Sequence, residues 1–178
     1  FAAHSERYSG IKNDGHLCPG IIMDAEQYGK PDMVVWYEDP WLKSGRQTAA
    51  GQNVDPKEND IKAYLARYGI EKSIYYNQHH HSHAAAGYYT SGFKDAAVLV
   101  IDSIGEFETL TVWHGIDNKL NKVYSQGYPD SLGLWYSAMT QRCGLKPNEE
   151  EYIMMGMAAY GNPDRLKTAI YNDFFSVI

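Results

Sequence analysis

Residues 79–113 read HHHSHAAAGYYTSGFKDAAVLVIDSIGEFETLTVW. Four of the seven histidines fall within five positions, a run of small residues follows, and then six apolar residues, Ala96 to Ile101, lead into Asp102. A short apolar run bounded by polar turn formers is the pattern of a buried strand. The segment from His79 to Tyr89 reads as a helix feeding it, Asp102 to Glu106 as a polar turn, and Thr109 to Trp113 as the next strand. A helix followed by a strand that ends in a carboxylate is where α/β folds place their ligands.

On a helix, His79 and His83 are one turn apart on one face, the spacing by which HxxxH pairs chelate a divalent metal. The same four residues also fit a polar, solvated helix start, and the pairs 79 with 81 or 81 with 83 would need a strand instead. The cluster is internal, so it is not a purification tag. Ala84 to Ala86 and Gly87 let the back of the helix pack closely. Asp102, about 20 residues on, suits a third ligand or a ligand-positioning carboxylate, although Asp, Ser and Gly are also common turn formers and Glu106 also fits an exposed turn position.

Outward from this stretch, strands and helices interleave. On the N-terminal side, Ile21 to Gly29 reads as a short helix, Met33 to Tyr37 as a buried strand, Pro40 to Lys57 as a loop, Asp60 as the cap of a helix ending near Gly69, and Ser73 to Tyr76 as a strand. On the C-terminal side, a turn at Asp117-Asn118 leads to a strand from Lys119 to Ser125. Three helices follow, capped by Ser131 and reaching Gly144, capped by Asn148 and running through Ala159, and opened by Pro163. In EYIMMGMAAYG, residues 151–161, the methionines 154, 155 and 157 with Tyr152 and Tyr160 read as a buried helix that Gly156 lets pack closely. The class is α/β.

Composition bounds the rest. In 178 residues, 44% hydrophobic and 21% charged, a sizeable core can be buried. A net charge of -6 without a Lys/Arg run makes a nucleic-acid partner unexpected. Cys18 and Cys143 form no CxxC pair and read as reduced, small core residues. No apolar run is long enough to span a bilayer and no signal-peptide pattern opens the chain, so a soluble, cytoplasmic protein is expected. Glu6, Arg7 and Lys12 could present charge to an anionic substrate, though such residues usually decorate a solvated surface. The start at Phe1 and the apolar stop at Ser176, Val177 and Ile178 read as a fragment of something larger.

Five motifs in order, ER-Y-S-x-I-K-N-D, HHHSHAAAGYYTSGF, AAVLVIDSIGEFETLTVW, SLGLWYSAMTQRCG and EEEYIMMGMAAYG, resemble the nodulation-protein-U type O-carbamoyltransferases, including those that decorate antibiotics. The resemblance implies a partial actin/hexokinase-like domain of the sugar-kinase superfamily, a mixed sheet with flanking helices, similar also to the tRNA threonylcarbamoyl-transfer protein. It implies transfer of a carbamoyl group from carbamoyl phosphate, through ATP-derived carbamoyl adenylate, to a hydroxyl of a small-molecule acceptor, with a homodimer compatible. By match to the family's HHxxH motif, His79 and His83 are the expected ligands of a divalent ion, iron foremost. Asp102 is expected at the metal or the carbamoyl adenylate with Glu106 close by, and Lys12 at the nucleotide or carbamoyl group.

The sequence departs from the family where Asp102-Ser103 replaces Asp-Gly, where Ile153 stands for Lys, and where Ala159 stands for Pro. The family's first strand with its GxxHD-like motif, a later metal-ligand Asp and the C-terminal domain are not in these 178 residues, so the expectation is an N-terminal piece inactive by itself. A metal-assisted hydrolase is disfavoured because no Glu lies between the histidines as HExxH requires. A non-catalytic metal- or nucleotide-binding module, or a threonylcarbamoyl-transfer-like activity, are the other readings.

Overall fold

The computed structural model describes residues 1–12 and 14–175. In chain order these form α1 (Glu6–Ser9), α2 (Pro19–Glu26), β1 (Met33–Trp36), α3 (Pro40–Ala49), a 3-10 turn (Pro56–Asn59), α4 (Ile61–Ala66), β2 (Ser73–Tyr76) and α5 (His79–Ser91). Then come β3 (Asp95–Gly105), β4 (Glu108–Ile116), β5 (Lys119–Gly127), α6 (Leu132–Arg142), α7 (Glu151–Ala158) and α8 (Lys167–Phe174). The result is the expected α/β mixture, with one parallel and one antiparallel sheet.

β1 and β2 pair in parallel, Met33 opposite Ser73 through Trp36 opposite Tyr76. β3, β4 and β5 form an antiparallel meander in that order. Alternation along β3 decides which face is covered. Val98 and Val100, opposite Trp113 and Thr111, point towards α5, where Ala84, Val100 and Trp113 form the core with Val98 and Leu120 against it. Ala84 is fully buried, as the small-residue run suggested. Tyr88 of the same helix closes over Gly115 so tightly that a Cβ there would lie 2.4 Å from its ring. Truncating Trp113 to Ala in such a core costs about 3–5 kcal/mol. The start of α6 packs on the end of β3: Ser131 caps the helix by accepting the N–H of Leu134 and donates its hydroxyl to the carbonyl of Ser103 at 2.6 Å. A Cβ on Gly133 would stand 2.6 Å from the Ser103 Cα, so only glycine admits this approach.

Several sequence expectations are corrected. Pro40–Lys57 is not a loop throughout, because Asp39 accepts the N–H groups of Trp41 and Leu42 and Pro40 opens the first turn, a start signal that carries α3 to Ala49. The turn after the central strand is not Asp102 to Glu106. β3 runs on to Gly105 through a register shift after Ile101, and the reversal is at Glu106, φ 59°, and Phe107. Asn148 caps nothing: it adopts φ 64° with its N–H on Glu151 Oε1, and α7 begins at Glu151. Pro163 opens no helix, since the Asn162 side chain accepts the N–H of Asp164 in a local turn and α8 starts at Lys167. The methionine segment is helical but not buried, with Tyr152, Met155, Met157 and Tyr160 all more than half exposed. Neither cysteine is buried. The apolar run Ser176 to Ile178 lies outside the described residues. Among the described residues no helix is long and apolar enough to cross a membrane.

Candidate metal centre

α5 starts directly at the histidines. Its side chain at Gln78 makes no cap, and the open N–H of His79 is taken instead by Glu106 Oε1 at 3.3 Å. Because the segment is a helix, the strand-dependent pairings of His81 fall away and the four rings divide by face. His80 points inward, fully buried, with Nδ1 3.0 Å from the Thr111 hydroxyl. Burial holds its pKa below the usual imidazole value. His81 lies flat on Trp113, ring centroids 5.1 Å apart, with Nδ1 2.8 Å from Asn77 Oδ1. His79 and His83 share the remaining face and meet Nε2 to Nε2 at 3.1 Å.

Asp102 completes a trio. Its Oδ2 lies 2.9 Å from His79 Nε2 and 3.9 Å from His83 Nε2. These three separations bear on whether a metal fits. With ligand distances of about 2.1 Å, donors at tetrahedral angles stand about 3.4 Å apart, within the observed spread. Two imidazoles and one carboxylate suit iron, zinc or manganese better than calcium or magnesium. The side chains are 18% exposed at His79, 29% at Asp102 and 57% at His83, so the trio opens to solvent on the His83 side.

Electrostatics tie the trio together. The Asp102 carboxylate and then Glu38 push His79 up to about 9, and the contact with His79 draws Asp102 down to about 2 against the opposing effect of burial. A divalent ion held by these two groups would take the place of the proton between them. The close approach of strand and helix depends on Gly105, where a Cβ would lie 2.3 Å from His79 Cδ2 and 2.9 Å from His80 Cδ2.

The other expected residues are placed differently. Glu106 is 5% exposed rather than on the surface, and Oε1 accepts the backbone N–H groups of Asp39 at 2.7 Å and His79 at 3.3 Å, joining the exit of β1 to the start of α5. Burial raises its pKa. Lys12 stands over the Tyr152 ring of α7 at 5.8 Å, and among the described residues no ion pair or hydrogen bond joins it to the trio. Glu38 was not singled out by the sequence reading. It follows the apolar run of β1 as Asp102 follows that of β3, and that parallel was the available signal. On the α6 side of β3 a cavity of about 550 Å³ opens beside Ser103, Gly133 and Ser137.

An α/β domain in which a helix and the last third of a strand bring two imidazoles and a carboxylate together offers a donor set of a size that would admit a divalent ion. Residues 46–176 match the family described as Carbamoyltransferase N-terminus, and the chain belongs to that family, as its motifs implied. It is 38% identical over 132 residues to the uncharacterized protein sll1178 of Synechocystis, a match covering 74% of this chain and 20% of the relative. It is 31% identical over 102 residues to nodulation protein NolO of Bradyrhizobium diazoefficiens, covering 56% and 18%. It is 32% identical over 164 residues to the uncharacterized protein MJ1051 of Methanocaldococcus jannaschii, covering 92% and 30%. The chain thus spans less than a third of the length of these relatives.

Proposed function

We propose that the full-length protein transfers a carbamoyl group from carbamoyl phosphate, through ATP-derived carbamoyl adenylate, to a hydroxyl of a small acceptor, at a divalent metal centre held by His79, His83 and Asp102. The observation that carries this reading is the convergence of His79 Nε2, His83 Nε2 and Asp102 Oδ2 at the end of β3 in a chain of the carbamoyltransferase family. An actin- and hexokinase-like fold and the role of this chain as the N-terminal part of a larger catalytic domain belong to the same proposal.

In the transfer step the acceptor hydroxyl attacks the carbamoyl carbon, a new C–O bond forms, the mixed anhydride C–O bond breaks, and AMP leaves with the former bridging oxygen. The hydroxyl proton passes to solvent or to a base. When bound, the divalent ion supplies Lewis acidity to the carbamoyl carbonyl, with iron the expected metal. His79 and Asp102 would hold it from the protein side and His83 from the solvent-facing side. Glu106, turned to backbone N–H groups through Oε1, contributes by fixing the start of α5.

The test is the full-length protein with carbamoyl phosphate, ATP and a panel of hydroxylated acceptors, following AMP release. Acceptor-dependent AMP release that is lost in the double variant His79→Ala, His83→Ala is expected. No AMP with any divalent metal, or undiminished release by the double variant, overturns the reading.

A further inference from the structure

Among the described residues, the buried Nδ1 of His79 has no partner within hydrogen-bond length. The nearby carboxylate is Glu38, whose Oε2 stands 3.6 Å away, just beyond hydrogen-bond length. Glu38 is itself only 6% exposed, with Oε1 held by Lys43 Nζ at 2.6 Å. Tyr37 sets its ring edge-on against His79, centroids 5.9 Å apart.

The separation of Glu38 and His79 is fixed by the backbone. Glu106 Oε1 accepts from the N–H of Asp39, the residue after Glu38, and from the N–H of His79 itself. Lys43, four residues into α3, holds the other carboxylate oxygen from the far side. A carboxylate anchored this way keeps its Oε2 beside one ring nitrogen of His79.

Chemistry then assigns the proton. A neutral imidazole that offers Nε2 as a lone pair carries its hydrogen on Nδ1. A buried N–H left without an acceptor is costly, and Glu38 Oε2, 3.6 Å away, is the carboxylate oxygen beside it. Ligating histidines almost always donate their second N–H to a carboxylate, carbonyl or water, which fixes the tautomer and the ring.

We infer that Glu38 is a positioning residue for His79, accepting a hydrogen bond from Nδ1–H so that Nε2 faces His83 and Asp102, an inference that rests on reading those three as a metal centre. Glu38 touches neither metal nor substrate. Its ion pair with Lys43 serves to hold the carboxylate in place.

Two measurements on the full-length protein test this. The first needs no variant: with ¹⁵N-histidine label and zinc bound, the His79 ring is expected metallated at Nε2 and protonated at Nδ1, and the opposite tautomer overturns the inference. The second is Co²⁺ affinity by chelator competition, with the visible Co²⁺ spectrum as a check on coordination. Glu38→Gln keeps the shape and removes the charge, and is expected to weaken Co²⁺ binding by about tenfold to a hundredfold while the saturated spectrum keeps its form. His79→Ala in parallel keeps the two readings apart. If His79→Ala leaves Co²⁺ binding unchanged, the metal centre is wrong. If His79→Ala abolishes binding while Glu38→Gln matches the wild type within about twofold, the centre stands and the role of Glu38 is overturned.

Discussion

Replacing Gly105 by alanine should damage the proposed metal centre through space rather than through charge. The added Cβ would sit 2.3 Å from His79 Cδ2, 2.7 Å from its Cγ and 2.9 Å from His80 Cδ2. Carbon atoms in contact stand about 3.5–4.0 Å apart, so the His79 ring must retreat by more than about 1 Å. His80 cannot absorb the strain, being fully buried and bound to Thr111. Overpacking of this size costs about 1–3 kcal/mol of folding stability. Metal–ligand distances tolerate about 0.2 Å, so a retreat of that size removes His79 as a ligand. The loss of affinity should equal or exceed the roughly tenfold to hundredfold that follows from disturbing a group behind a ligand. Chelator competition with Co²⁺, alongside denaturant unfolding, measures both effects in the full-length protein. Gly87→Ala is the matched control: it lies within α5, nothing stands within 4 Å of its added Cβ, and it should stabilise by about 0.4–1 kcal/mol without touching metal binding. If Gly105→Ala binds Co²⁺ as the wild type does and unfolds no earlier, the packing of His79 against the strand end is refuted.

Further outcomes follow from the same contacts. Glu106→Ala strips the acceptor from the N–H groups of Asp39 and His79 and should cost at least about 1–3 kcal/mol by denaturant unfolding; an unchanged midpoint would show that water replaces the carboxylate freely. Glu38 gives the metal-free protein an acid limb: burial alone would raise its carboxyl, but His79 and Lys43 outweigh that and hold it at about 2, against 4.5 in the unfolded chain. About 3 kcal/mol is therefore present above pH 4.5 and lost as pH falls through 2, and flat stability over that window contradicts the pairing. His79, raised to about 9, gives the opposite limb, with stability full below 6.5 and lost as pH rises through 9. Bound metal should abolish this alkaline limb, which unfolding curves with and without chelator would reveal. Gly133→Ala, whose Cβ meets the Ser103 backbone at 2.6 Å, should loosen α6 from β3 and raise hydrogen exchange at the start of that helix.

Much of the candidate site was legible because its signals are local. The HxxxH spacing needs only a helix to bring His79 and His83 together, and the apolar run ending in Asp102 needs only a strand. The division of labour among the four histidines was not legible, since it depends on which helix face meets Thr111 and Trp113. Glu38 was hidden for a related reason: Glu38-Asp39-Pro40 looks like the opening of a loop, whereas Asp39 and Pro40 start α3 and turn Glu38 inward. β3 is longer than its residues suggest because Asp, Ser and Gly favour turns in isolation, and pairing with β4 overrides that preference. The exposed methionines of α7 show the limit of composition, since an apolar helix says nothing by itself about what it packs against.

The most direct measurement is anomalous scattering at the metal edge from crystals of the metal-loaded full-length protein. A single strong peak bonded to His79 Nε2, His83 Nε2 and Asp102 is the expected result. A peak bonded to none of the three, or none in a crystal that carries bound carbamoyl adenylate, would contradict the account.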